Sequence, residues 1–172
     1  RSAAGSQAKW WMEEFGVEHD PSRIYGENNT FRYVPVKGIL VRTEGMADDD
    51  VAILLLGAKL CGVELHLSVE EGRPWIQKMN GYYASLAVET ESELIDRLPE
   101  IAGGVQFLRA KGISNALFDA ARVRELEVLD RPVLANGRLE LLGFFREQAV
   151  SETVHRYGNI IPPPDSFKGA TA

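Results

Sequence analysis

The sequence is poor in cysteine and histidine, and it has no long apolar run. Its one cysteine, Cys61, has no second thiol to pair with, so an internal disulfide is excluded and the reducing cytoplasm is the expected compartment. His19, His66 and His155 lie too far apart to give the ligand spacing of a metal site. The longest apolar stretch, Val51 to Leu56, is far below the ~20 residues of a membrane span. The opening Arg1-Ser2-Ala3-Ala4-Gly5 lacks the apolar segment of a signal peptide. Basic runs are also missing. With 19 Lys and Arg against 25 Asp and Glu, the formal charge is −6, which argues against nucleic acid, whose phosphates need clustered cations. No methionine opens the chain, which fits a fragment of a longer polypeptide.

What remains is ordinary globular material. At 172 residues, 45% hydrophobic and 26% charged, the chain has enough apolar surface for one domain with a core. Ser6 to Phe15 predicts a short helix with an aromatic face of Trp10, Trp11 and Phe15, stopped at Gly16. The next residues, through His19-Asp20-Pro21-Ser22 and Gly26-Glu27-Asn28-Asn29, read as turns. Phe31 to Pro35 and Gly38 to Thr43 read as strands. A helix then follows, from the aspartates at 48–50 through Cys61, with Gly62 closing it.

Val63 to Val69 alternates again, which completes a strand–helix–strand unit, and parallel strands require such a crossover. The pattern continues. Trp75 to Asn80 suggests a helical turn, Ala84 to Glu89 a strand, Glu91 to Leu98 a helix stopped by Pro99, and Gly104 to Leu108 a strand. Ser114 to Glu125 reads as a capped helix with Leu117, Phe118 and Ala121 inward, and Val133-Leu134 as the last sheet strand. The expected fold is α/β, a Rossmann-like three-layer sandwich with a mainly parallel sheet. An extended C-terminal arm follows it: Gly137 to Arg146 predicts a helix with Leu139, Leu142 and Phe145 on one face, and from Gln148 to Arg156 the period drops to two. Three segments result: 1–36, an N-terminal helix and connection; 37–136, the α/β domain; and 137–172, the last helix and a docking arm.

Such a fold raises the question of a dinucleotide, whose pyrophosphate would rest on the glycine-rich turn after the first parallel strand. Here that turn is Glu44-Gly45-Met46-Ala47-Asp48-Asp49-Asp50, and its carboxylates repel a phosphate. No cofactor is expected in this chain. Cys61, among Leu60, Gly62 and Val63, reads as an inert buried thiol, and His66 as a satisfied strand residue. Glu70-Glu71 and the acids from Glu89 to Glu93 read as solvated. No nucleophile with a base is found, so no catalytic residue is named.

The arm is the remaining candidate. Arg146, Glu147, Gln148, Ser151, His155, Arg156, Tyr157, Gly158 and Asn159 combine strand alternation with residue types that dominate interfaces.

The segments Trp10-Trp11-Met12-Glu13-Glu14-Phe15, His19-Asp20-Pro21-Ser22 and Gly26 to Tyr33 carry a resemblance, together with Gly137 to Leu141, Arg146-Glu147-Gln148 and His155 to Asn159. The chain resembles the C-terminal region of the larger proline utilization A (PutA) proteins, which join proline dehydrogenase to L-glutamate γ-semialdehyde dehydrogenase. It departs from their pattern at Ala149, where serine is expected, and in its Ile160-Ile161-Pro162-Pro163-Pro164 ending. The resemblance implies a non-catalytic copy of a nucleotide-binding domain that stabilises an upstream aldehyde dehydrogenase module of the same polypeptide. It also implies that the domain covers a substrate-channelling cavity, with Arg146 to Asn159 as a flap. NAD and FAD are implied only for the parent enzyme, and a homo-oligomer through the arm is a further expectation. A ligand-binding or sensor domain for NAD or a proline metabolite stands as the alternative.

Overall fold

The computed structural model of the chain describes residues 2–24 and 26–153, with the backbone at 155–156 and 159–160. The first helix, α1 (Ala3–Trp10), passes into a π-helical turn (Trp11–Phe15) that stops at Gly16. A long strand, β1 (Glu27–Pro35), follows. Then come β2 (Gly38–Arg42), α2 (Asp48–Cys61) and β3 (Glu64–Val69), the crossover unit that the sequence predicts. Gly62 ends α2 in the left-handed conformation, at φ 70°. The chain continues through α3 (Pro74–Gln77), β4 (Ser85–Val88), α4 (Glu91–Ile101), β5 (Phe107–Arg109), α5 (Asn115–Val123) and β6 (Glu127–Leu129).

Strands β2 to β6 form one five-stranded sheet in the order β4-β3-β2-β5-β6, and every neighbouring pair is parallel. Ile39 and Val41 of β2 face α2, where Val51, Leu54, Leu55 and Ala58 are buried. Leu40 faces the other way, with Leu94 and Leu98 of α4 and Leu117 and Ala121 of α5. A strand covered on both faces needs apolar residues at successive positions, which is why all five residues of β2 are buried. The result is the expected three-layer α/β sandwich.

The last elements are α6 (Gly137–Leu141), a 3-10 turn (Leu142–Phe144) and β7 (Phe145–Thr153). Strand β7 pairs antiparallel with β1 over its full length, from Glu27↔Thr153 to Pro35↔Phe145, as a ribbon separate from the parallel sheet. Two-residue strands β8 (His155–Arg156) and β9 (Asn159–Ile160) pair with each other.

Five local expectations are corrected. Glu27, Asn28 and Asn29 are strand, because pairing with β7 overrides their turn preference. Pro99 lies inside α4: it removes one backbone donor, while burial of Leu94 and Leu98 holds the helix on the sheet to Ile101. The last sheet strand is Glu127–Leu129 and not Val133-Leu134, because Glu125 turns the chain back at φ 58° directly after α5. The last helix ends at Leu141 and buries Gly137, Glu140 and Leu141; Phe144 and Phe145 are buried beyond it, while Leu139 and Leu142 are exposed. Phe118 is likewise exposed, leaving Leu117 and Ala121 as the inward positions of α5.

The two ends of the chain pack on each other. A Cβ on Gly137 would lie 2.5 Å from the backbone of Gln7, so only glycine lets α6 approach α1 this closely. The Phe15 ring stacks on Phe145 with centroids 5.1 Å apart and meets the edge of Tyr33 at 4.7 Å. Below them Glu140, 1% exposed, accepts from Arg109 Nη2 at 3.3 Å, Arg131 Nη1 at 3.0 Å and the Leu134 backbone N–H at 2.8 Å. Removing one partner of a buried pair leaves an uncompensated charge. Glu140→Ala is therefore expected to lose about 3–5 kcal/mol in urea denaturation, whereas truncating the exposed Lys9–Glu13 pair changes little.

Candidate functional site

In open parallel sheets ligands bind beyond the carboxyl ends of the strands, where the strand order reverses. Here β3 and β4 lie to one side of β2 and β5 and β6 to the other, so the reversal falls between β2 and β5. The turn leaving β2 carries Gly45 at φ 73°, and Ala47 precedes α2 as an N-cap with no side chain to cap it, followed by Asp48, Asp49 and Asp50 in the first turn. The cation facing this helix start belongs to the chain itself. Arg73 donates to Asp48 Oδ1 at 3.0 Å, to Glu70 Oε1 at 2.7 Å and to the Met46 carbonyl.

A second cation fills the adjacent position. Arg42, at the end of β2 and 4% exposed, donates to Ser68 Oγ at 3.0 Å, to the Glu89 carbonyl at 2.7 Å and to Glu44 Oε2 at 2.6 Å. Glu89, at the end of β4, receives Arg97 of α4 through two hydrogen bonds, at 2.8 and 2.5 Å. Beside them a cleft of about 480 Å³ is lined by Arg42, Glu44, Glu70, Glu71, Val88 and four more residues from Glu89 to Glu93.

The expectation of solvated acids is therefore wrong for Glu89, whose side chain is 7% exposed, and for Glu70, which bridges Arg73 and the Thr43 hydroxyl. The overlooked signal is Arg42 itself. A cation closing an apolar parallel strand needs acceptors from the ends of its neighbours.

Burial pushes the Glu89 carboxyl upward. The hydrogen bonds from Arg97 and Ser68 and the charges of Arg97 and Arg42 outweigh it and hold the group below the usual carboxylate range. Glu70 is lowered in the same balance, burial opposed by Thr43 and Arg73. Cys61, 3% exposed, matches its reading as an inert thiol, and burial pushes it up to about 12. Nδ1 of His66 is 2.8 Å from Ser85 Oγ, and burial lowers its pKa.

The arm residues fall into two groups. Arg146 lies with its guanidinium 4.8 Å from the Phe107 ring centroid and 3.4 Å from Glu127 Oε2, which ties the root of β7 to the sheet. Glu147 sits opposite Tyr33 in the ribbon. Gln148 accepts from Arg32 Nε at 2.7 Å, and the Ser151 hydroxyl bonds the Asn29 side chain. His155, Arg156 and Asn159 belong to the β8–β9 pair, and Tyr157 and Gly158 lie outside the described residues.

The arm thus does not extend alone, because β1 takes one of its edges. One ribbon face carries Arg32, Val34, Arg146, Gln148 and Val150, and both valines are 37% exposed.

Among the described residues no group of His, Cys, Asp and Glu could hold a metal ion, and no helix is long and apolar enough to cross a membrane. No protein-family profile matches the chain, and no curated protein matches it. Solved structures do. Over 92% of its length the chain is similar to the proline utilization A protein (PutA) of Corynebacterium freiburgense, at 30% identity and a TM-score of 0.64. It spans 14% of that protein's chain. A 3,6-anhydro-L-galactose dehydrogenase in complex with NAP aligns over 73% of this chain and 30% of its own, at 12% identity and a TM-score of 0.45.

Two outcomes are expected. Lowered carboxylates contribute stability that is complete above their unfolded value, 4.5 for Glu89, and is lost as pH falls through the lower folded value. The urea midpoint of the native chain should therefore fall from about pH 5 downward, and fall less steeply in Arg97→Gln. Cys61 should resist iodoacetamide in the folded protein and react once urea unfolds it, as burial and a thiol at about 12 require.

Proposed function

We propose that the chain is a non-catalytic domain of a bifunctional proline catabolic enzyme. In this reading it stabilises an aldehyde dehydrogenase module of the same polypeptide and covers the cavity through which the semialdehyde intermediate passes. The likeness to PutA over 92% of the chain, at 30% identity, carries the reading. The geometry supports it in two ways. At the reversal point a phosphate would meet Asp48, Asp49, Asp50, Glu44 and Glu70, with Arg42 and Arg73 already engaged by the chain's own groups. The ribbon projects a mixed apolar and polar face with two half-exposed valines, the composition of a docking surface.

Docking would seal the cavity and keep a reactive aldehyde away from bulk water, without adding a chemical group. Val34→Asp combined with Val150→Asp places charge on the exposed ribbon face and leaves the buried aromatic root intact. In the full-length enzyme the pair should lengthen the lag before NADH appears from proline, while the proline-oxidising and semialdehyde-oxidising rates measured separately stay the same. An unchanged lag removes the sealing role.

The cleft of about 480 Å³ beside Arg42 is the observation that favours the alternative, a domain sensing NAD or a proline metabolite. Titration calorimetry of the chain with NAD and with proline separates the two readings: no saturable heat is expected, and micromolar binding would make it a sensor.

A further inference from the structure

Arg109, at the end of β5, is 2% exposed. Its Nη1 donates to the carbonyls of Leu129 and Arg131, and its Nη2 to Glu140 Oε1 at 3.3 Å. Its Nε, also buried, has no acceptor among the described residues. A cationic N–H buried without an acceptor is costly, more so than a neutral one. Next to it, between the sheet and α6, is a small cavity walled by Ile39, Val41, Leu65, Phe144, Arg109 and Glu140, among others. The space open to the centre of a water-sized sphere is about 10 Å³, roughly what one molecule of water requires.

We infer that this cavity is a binding site for one resident water, which accepts from Arg109 Nε–H and donates to Glu140 Oε1. Two observations carry it independently of the proposed function: an orphaned donor and a space of matching size beside it. The carboxylate has capacity for the second bond, because among the described residues Oε1 accepts only from Arg109 while the other two bonds go to Oε2, and each carboxylate oxygen can accept two. The water completes the hydrogen bonding of the ion triad that fixes α6 to the sheet. A larger guest is excluded by the volume, and an apolar one would leave the donor unmet.

The test is a water-selective NOE and ROE measurement at the Arg109 Nε–H of the nitrogen-15-labelled 172-residue chain. The signal is assigned by its disappearance in Arg109→Lys. A cross-peak to water with the NOE sign of a long-lived molecule is expected. Absence of the peak, or the sign of fast surface hydration, would overturn the assignment. Val41→Leu adds a methylene to the cavity wall and should abolish the peak; a peak that persists in that folded variant places the water elsewhere and defeats the proposal. If Val41→Leu does not fold, the native measurement decides alone.

Discussion

A carboxylate held between two guanidinium groups determines where the end of this chain goes. Glu140 takes Arg109 from β5, Arg131 from the segment after β6 and the backbone of Leu134, all under the α/β core. None of these groups can be buried alone without a large desolvation cost, so they are buried together or not at all. Once Glu140 is fixed, Leu141 and Phe144 must enter the core beside it, and Phe145 follows into the aromatic cluster with Phe15 and Tyr33. The direction of β7 is then set at its root. The position of β1 follows, since β7 is the strand with which it forms a continuous ladder.

This dependence explains what could be read from the sequence. The crossover unit of β2, α2 and β3 was legible because its signals are local: an apolar strand, an acidic helix start, a closing glycine and a second alternating strand. The Ser114 cap is of the same kind. Glu27 to Asn29 were not legible, because their strand conformation is imposed by residues 151–153 more than a hundred positions away. Leu139 and Leu142 misled for a related reason. The helical period placed them inward, but the ion triad turns α6 so that Glu140 and Leu141 face the core.

The acids after β2 were recognised as hostile to phosphate from their charge alone. What the sequence hid was that Arg42 reaches Ser68 and the Glu89 carbonyl, Arg73 reaches Asp48, and Arg97 reaches the Glu89 carboxylate, joining the ends of β2, β3 and β4 into one network. Pairing between strands decides which loop ends are neighbours, and a linear pattern carries little of that information. The arm was legible as a strand, but not as half of a ribbon.

The ribbon has a mechanical consequence for any surface that it meets. Two paired strands are stiffer than one, and the ribbon's root is clamped from both sides: by Arg146 against Phe107 and Glu127, and by Phe145 against Phe15. A free extended arm would lose its conformational entropy on docking, at roughly 1–2 kcal/mol per residue ordered. Here that ordering is already done by β1. Most of the ordering cost of the ribbon is thus met within the fold, and any surface that met its Val34 and Val150 face would not have to supply it.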